Sequence, residues 1–115
     1  TGESLHSIAK ADPLLPRARI AEAVGYVQGA LAVTAREFHH FMPISAGAAG
    51  IIQVGTTEIL RDDSRRMAAR LRVAGGVVTL SEWKDAPHVW QMFDGYIPEA
   101  RAALREVTRF VQAVL

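Results

Sequence analysis

Two side chains in this sequence are of the types that pass a proton between them. One is the carboxylate of Glu58, in Val54-Gly-Thr-Thr-Glu-Ile-Leu, and the other is the imidazole of His88, in Asp85-Ala-Pro-His-Val-Trp-Gln-Met-Phe. They stand 88 − 58 = 30 residues apart. A carboxylate bonded to one imidazole nitrogen fixes the tautomer and lets the other nitrogen act as a base. Each residue also has a plainer reading. His88 sits among apolar residues, where a histidine is commonly a packing residue satisfied by backbone, and Glu58 could be a simple loop or helix-start acid. Asp62 and Asp63 are better placed for that last role, as first-turn residues that favour the positive end of a helix. His39-His40 invites a metal reading, but adjacent side chains rarely converge on one ion and no third ligand is evident. Val89 and Trp90 follow His88 and either line a substrate pocket or pack beneath the last helix, and packing is the better account of Phe93.

For Glu58 and His88 to meet, each must leave the same end of a neighbouring element. Gly50-Ile-Ile-Gln-Val is a short apolar run bounded by glycine, which suits a buried parallel strand. Val77-Val-Thr-Leu-Ser-Glu-Trp is a second strand, rich in β-branched residues. Between them a helix is expected from Arg61 to Ala74. Its inner face is Met67, Ala68 and Leu71, its arginines at 65, 66, 70 and 72 are mostly solvated, and Gly75-Gly76 closes it. A crossover of this kind makes the strands parallel and leaves both following loops at the carboxyl edge, where ligands usually bind. Neighbouring strands lie about 4.8 Å apart, so the loop carrying Glu58 and the loop carrying His88 can share that edge.

The last helix starts at Pro98, a good first-turn residue, and presents Ala100, Ala103, Leu104, Val107, Phe110, Val111 and Val114 as its apolar face. Upstream, a short helix is expected over Ser4–Lys10 and another from Pro16 to Gln28 before Gly29, with most of 30–50 as loop. The grammar of residues 50–115 is strand, helix, strand, loop, helix: an α/β class with parallel strands. Two strands do not make a stable three-layer domain, so the missing strands are expected from elsewhere.

Composition narrows the function classes. A net charge of +1 over 115 residues gives no field that would draw nucleic acid or an anionic membrane. The absence of cysteine excludes a disulfide framework and thiolate metal sites, which fits a reducing, cytoplasmic setting. No apolar run approaches the roughly 18 residues of a spanning helix, and the first residues do not read as a signal peptide. With no initiator methionine, the chain reads as part of something longer, or as a processed product.

Val54-Gly-Thr-Thr-Glu-Ile-Leu-Arg-Asp-Asp-Ser-Arg-Arg, then Val-Thr-Leu-Ser-Glu-Trp, then Pro-His-Val-Trp-Gln-Met-Phe resemble the C-terminal part of the hormone-sensitive-lipase-like esterases, which are carboxylic ester hydrolases of the α/β-hydrolase fold. That family's acid motif has the form acid–x–Leu–x–Asp–acid, matched by Glu58-Ile-Leu-Arg-Asp-Asp with Glu58 where many members carry Asp. Thr1-Gly-Glu-Ser with Ala11-Asp-Pro-Leu-Leu resembles the segment after the family's sixth strand, while the stretch from Leu31 to Gly50 departs from the family pattern. The resemblance implies a three-layer α/β sandwich, of which residues 1–115 form a C-terminal segment: 1–49 helix and loops, 50–115 the strands and later helices. It implies Glu58 as catalytic acid and His88 as catalytic base, with Val89 and Trp90 toward the substrate. It implies a small ester as substrate, no cofactor and no metal. It also implies, often, a homodimer paired through the strand Val77–Trp83.

One family feature is absent. The nucleophile of such enzymes sits in a Gly-x-Ser-x-Gly elbow beside an upstream His-Gly-Gly-Gly type oxyanion motif, and neither occurs in this sequence. Ser45 and Ser64 lack the strand–turn–helix setting of an elbow. The expectation is therefore that the serine lies in the remainder of the hydrolase domain. The alternative is an inactive fragment or a non-enzymatic α/β binding or structural module keeping two relic residues.

Overall fold

The computed structural model describes residues 3–8, 12, 14, 18, 19, 22, 47 and 49–115. In chain order the elements are α1 (Ser4–Ser7), β1 (Ala49–Gly55), α2 (Arg61–Val73), β2 (Val77–Trp83), a short 3₁₀ turn (Trp90–Phe93) and α3 (Pro98–Val114). Ala18, Arg19 and Glu22 are helical, inside the helix expected from Pro16. The rest of that helix, with Gly29, His39, His40 and Ser45, lies outside the described residues. The expected helix Ser4–Lys10 is shorter, ending at Ser7 where Ile8 leaves helical geometry. A single turn gains little from its own hydrogen bonds, and this one is held by tertiary contacts of Ser4.

β1 and β2 are parallel neighbours, in register from Ala49 opposite Val77 to Gly55 opposite Trp83. β1 is one residue longer at each end than the sequence pattern indicates. Odd-numbered residues face one helix and even-numbered residues the other. Gln53 and Ser81 bond to Glu106 of α3, whereas Glu82 meets Arg65 of α2. The arrangement is helix, sheet, helix, as parallel strands require for burial on both faces.

α2 begins and ends within a residue of its expected bounds. Its end is a two-bond cap: Gly76 N–H donates to Leu71 O at 2.9 Å and Gly75 N–H to Arg72 O at 3.0 Å. Gly75 adopts φ +85°, a left-handed geometry that a residue without Cβ takes at no steric cost. Asp62 and Asp63 occupy the first turn of α2, as expected. Leu60 is the N-cap residue and makes no side-chain bond. The cap comes from α1: Ser4 Oγ accepts the Asp62 N–H at 3.1 Å, and the Asp62 carboxylate accepts the Ser4 N–H. Met67 is exposed rather than inward, because Ala68 takes the buried position and one residue turns the helix by about 100°. Arg72 is not simply solvated: its guanidinium donates twice to Val78 O, at 2.8 and 3.2 Å.

The core beneath the sheet is Ala86, Trp90, Ala100 and Ala103, with Trp83 and Ile97 packed against it. Small residues on α3 let Trp90 fit between helix and sheet, and its ring centroid lies 5.8 Å from that of Trp83. The apolar face of α3 is covered only in part. Ala100 and Ala103 are buried, but Leu104, Val111 and Val114 are exposed, because the two strands among the described residues are too narrow to cover the whole stripe.

Candidate functional site

The site is built where β1 and β2 end side by side. After Gly55 the chain turns tightly, with Glu58 N–H donating to Gly55 O at 3.1 Å. That turn folds the Glu58 side chain back onto its own strand end, and Oε1 accepts the Gly55 N–H at 2.7 Å. After Trp83 the second loop passes over the first. Thr56 N–H donates to Trp83 O at 2.8 Å, Thr57 Oγ1 to Ala86 O at 2.9 Å, and Asp85 N–H to Thr56 Oγ1 at 2.9 Å. The two threonines of Val-Gly-Thr-Thr-Glu thus stitch the acid loop to the histidine loop. Gly55 is required by the same approach, since a Cβ there would lie 1.8 Å from Ala86 O.

The structure brings Glu58 and His88 together. His88 Nδ1 and Glu58 Oε2 are 2.6 Å apart. Glu58 is buried, 4% exposed, while the His88 side chain keeps 29% exposure. A carboxylate offers only acceptors, so Nδ1 carries the hydrogen and donates it to Oε2. Nε2 is then left with its lone pair. The acid is buried with both oxygens hydrogen-bonded, and the base keeps an exposed edge: a carboxylate that orients and an imidazole that can receive a proton from outside.

Val89 and Trp90 are placed differently from one another. Trp90 is 1% exposed and forms the core, whereas Val89 lies on the surface beside His88. Val89 also has φ +51°, a left-handed conformation that is an outlier for a β-branched residue. Such strain persists only where the surroundings over-determine it. Phe93, expected to pack, keeps 39% of its surface exposed, and Trp90 does the packing instead.

Two residues that support the acid loop escaped the sequence reading. Asp12 is buried, and its carboxylate accepts the N–H of Ile59, next to Glu58, at 3.2 Å and that of Leu14 at 3.1 Å. Ser4 is fully buried, donating from Oγ to Ile59 O at 2.7 Å. Their partners lie 47 and 55 residues away, a separation that no periodicity reports. The only local signal was Asp12-Pro, a pattern that favours a turn. Ser64 lies within α2, as expected, and so has no elbow setting. Among the described residues no group of three or more His, Cys, Asp or Glu could hold a metal ion, and no helix is long and apolar enough to cross a membrane.

Comparison with known proteins gives a consistent result. The profile of the alpha/beta hydrolase fold family matches residues 2–92. An acetyl-hydrolase from Streptomyces hygroscopicus is 37% identical over 62 residues, covering 54% of this chain and 21% of that protein. An esterase from Acinetobacter venetianus is 33% identical over 64 residues, covering 56% of this chain and 21% of that protein. Among solved structures, an esterase of the bacterial hormone-sensitive lipase family superposes with a TM-score of 0.83 at 29% identity, over 98% of this chain and 38% of that one. The chain therefore spans about a fifth of the length of these curated relatives.

Proposed function

The chain belongs to the alpha/beta hydrolase fold family, and on that footing we propose that it supplies the acid and base of a serine esterase, Glu58 orienting His88. The observation that carries this reading is the 2.6 Å bond between His88 Nδ1 and Glu58 Oε2 at the ends of two adjacent parallel strands. The relatives' activities, acetyl-hydrolase and esterase, support a carboxylic ester as substrate class. In the triad order of this fold the serine precedes the acid and the histidine. The nucleophile and the oxyanion donors then belong to the remainder of the domain.

The steps follow from the free Nε2. It accepts the serine proton as the serine oxygen bonds to the ester carbonyl carbon. The resulting imidazolium is held by the Glu58 carboxylate. His88 returns the proton to the leaving alkoxide, the carbon–oxygen bond breaks, and an alcohol departs from the acyl-enzyme. A water, deprotonated by the same nitrogen, attacks the acyl carbon, and the serine leaves with the proton as the acid is released. Val89, exposed beside His88, is the neighbouring side chain a bound ester would meet. Trp90 supports the site from beneath.

A serine-reactive phosphonate should label the hydrolase bearing this chain, and His88→Ala should abolish turnover. Glu58→Gln should lower kcat by on the order of 10⁴-fold, because an amide no longer selects the productive tautomer. An unchanged rate for Glu58→Gln would mean that another group is the acid. We also propose that the outer edge of β2 pairs with a second copy. Val77–Trp83 has its one strand partner, β1, on its other side among the described residues. Trp83 O accepts from Thr56 beside β1, so alternate residues put the Leu80 N–H on the outer edge. Leu80→Pro, which removes that donor, should then shift the enzyme from dimer to monomer in light scattering.

A further inference from the structure

The His88–Glu58 bond is one of two bonds from side chain to side chain between the same pair of described segments. Three residues after His88, Gln91 Nε2 donates to Gln53 Oε1 at 3.0 Å. Gln53 lies on β1, two residues before Gly55, whose N–H holds Glu58. The path from Glu58 through His88, Val89, Trp90, Gln91 and Gln53 back along β1 to Gly55 is therefore a closed ring. Its noncovalent links are His88–Glu58, Gln91–Gln53 and Gly55–Glu58.

The orientation of the Gln53 amide is not free. Its Nε2 donates to Ala103 O at 3.0 Å and to Glu106 Oε2 at 2.7 Å, both on α3. Turning the amide over would set its oxygen against a carbonyl and a carboxylate. Oε1 must therefore face the histidine loop, and position 91 must present a donor. Glu106 is itself fixed by Ser81 Oγ at 2.8 Å. These contacts anchor the far side of the strained residue Val89, at φ +51°, which sets the direction in which His88 leaves the backbone.

We propose that Gln91 and Gln53 are positioning residues for His88, locking its loop to the strand that carries the acid. The proposal rests on the reading of His88 and Glu58 as base and acid. Gln91→Met keeps the length of the side chain and removes its donor. It should lower kcat by about 3- to 10-fold, the equivalent of one lost neutral hydrogen bond, with KM nearly unchanged. Gln91→Asn, one methylene shorter but still an amide, should lower kcat in the same direction by a smaller factor.

A purely structural role would reduce stability and leave kcat intact well below the melting temperature. Glu82→Gln serves as the comparison, because it removes the Arg65–Glu82 pair on the opposite face of β2 without touching this network, and its kcat should match the parent protein. The second readout is the far-downfield proton of the His88–Glu58 bond in ¹H NMR, which should broaden or shift in both Gln91 variants. If kcat and that resonance are unchanged in Gln91→Met and Gln91→Asn, or if Glu82→Gln lowers kcat equally, the positioning role is wrong. Should His88→Ala leave hydrolysis intact, the esterase reading fails, while the resonance still decides whether Gln91 aligns the pair.

Discussion

Gly55 owes its identity to the carbonyl of Ala86. The turn that folds Glu58 onto its strand brings the two loops into backbone contact, and a methyl group at Gly55 would lie 1.8 Å from Ala86 O. The nearest atoms it would meet are the backbone carbonyl of Ala86 and not the end of a flexible side chain, so the histidine loop itself has to retreat. With His88 as the proposed base, Gly55→Ala should therefore lower kcat/KM by on the order of 10²-fold, the effect of displacing a catalytic group by about 1 Å. Overpacking of this kind should also cost about 1–3 kcal/mol of stability. Steady-state kinetics and thermal unfolding of the variant check both, and an unaltered kcat/KM would mean that the loops have slack. At this scale the sequence was readable where chemistry marks a residue: Glu58 and His88 stood out by type and spacing. The need for Gly55, and the support from Asp12 and Ser4, depend on backbone from distant segments. Nothing in Ala11-Asp-Pro or Thr-Gly-Glu-Ser states which amide those side chains will meet.

α2 and β2 were legible because their signals are local: glycines close the helix, and β-branched residues fill the strand. The reading failed on side-chain partners, since helical spacing alone does not separate Met67 from Ala68 or a solvated arginine from one that reaches a strand. Arg65 is such a case. Its guanidinium meets the Glu82 carboxylate through two bonds, Nε to Oε1 at 2.7 Å and Nη2 to Oε2 at 2.8 Å, joining helix to strand. The hydrogen bond from Arg65, aided by its charge, holds the Glu82 carboxyl below the usual carboxylate range, and the same pairing raises Arg65. A carboxyl depressed in the folded state stabilises it above the unfolded value, and that contribution disappears as pH falls through the folded value. Arg65 stays charged throughout, so the dependence belongs to Glu82. Glu82→Gln should lower the melting temperature slightly at neutral pH and flatten its fall below about pH 4.5, the ordinary glutamate value. Added salt should shrink the difference, because the pair is partly exposed. Melting curves at several pH values, parent against variant, measure this directly.

Among the described residues, a two-stranded parallel sheet with α2 on one face and α3 on the other has the layers of an α/β domain but not its width. Parallel strands are ordinarily covered on both faces and flanked by further strands. Here Val77 is 74% exposed at the start of β2, and Leu104, Val111 and Val114 of α3 are 40%, 41% and 50% exposed. The sequence anticipated the shortage of strands, because two strands and their helices were all it offered. It did not say which part of the α3 stripe would stay bare, since that depends on how far a narrow sheet reaches. The bare part lies on the helix whose other residues already cover the sheet. In a wider sheet, further strands would continue beneath it. On the proposed esterase reading, the strands that would widen the sheet and the serine that would complete the triad belong to one body. Residues 1–115 prepared alone should consequently bind a hydrophobic dye such as ANS, hydrolyse no ester and take up no serine-directed phosphonate. Supplying the serine-bearing remainder of the domain should suppress dye binding and restore labelling together. Leu104→Glu on α3 should weaken that reassembly while leaving the Glu58–His88 pair unaltered, so dye binding should persist and activity fall in proportion to the complex lost. Full reassembly and full activity with a charge at position 104 would mean that this face of α3 is ordinary solvent-exposed surface.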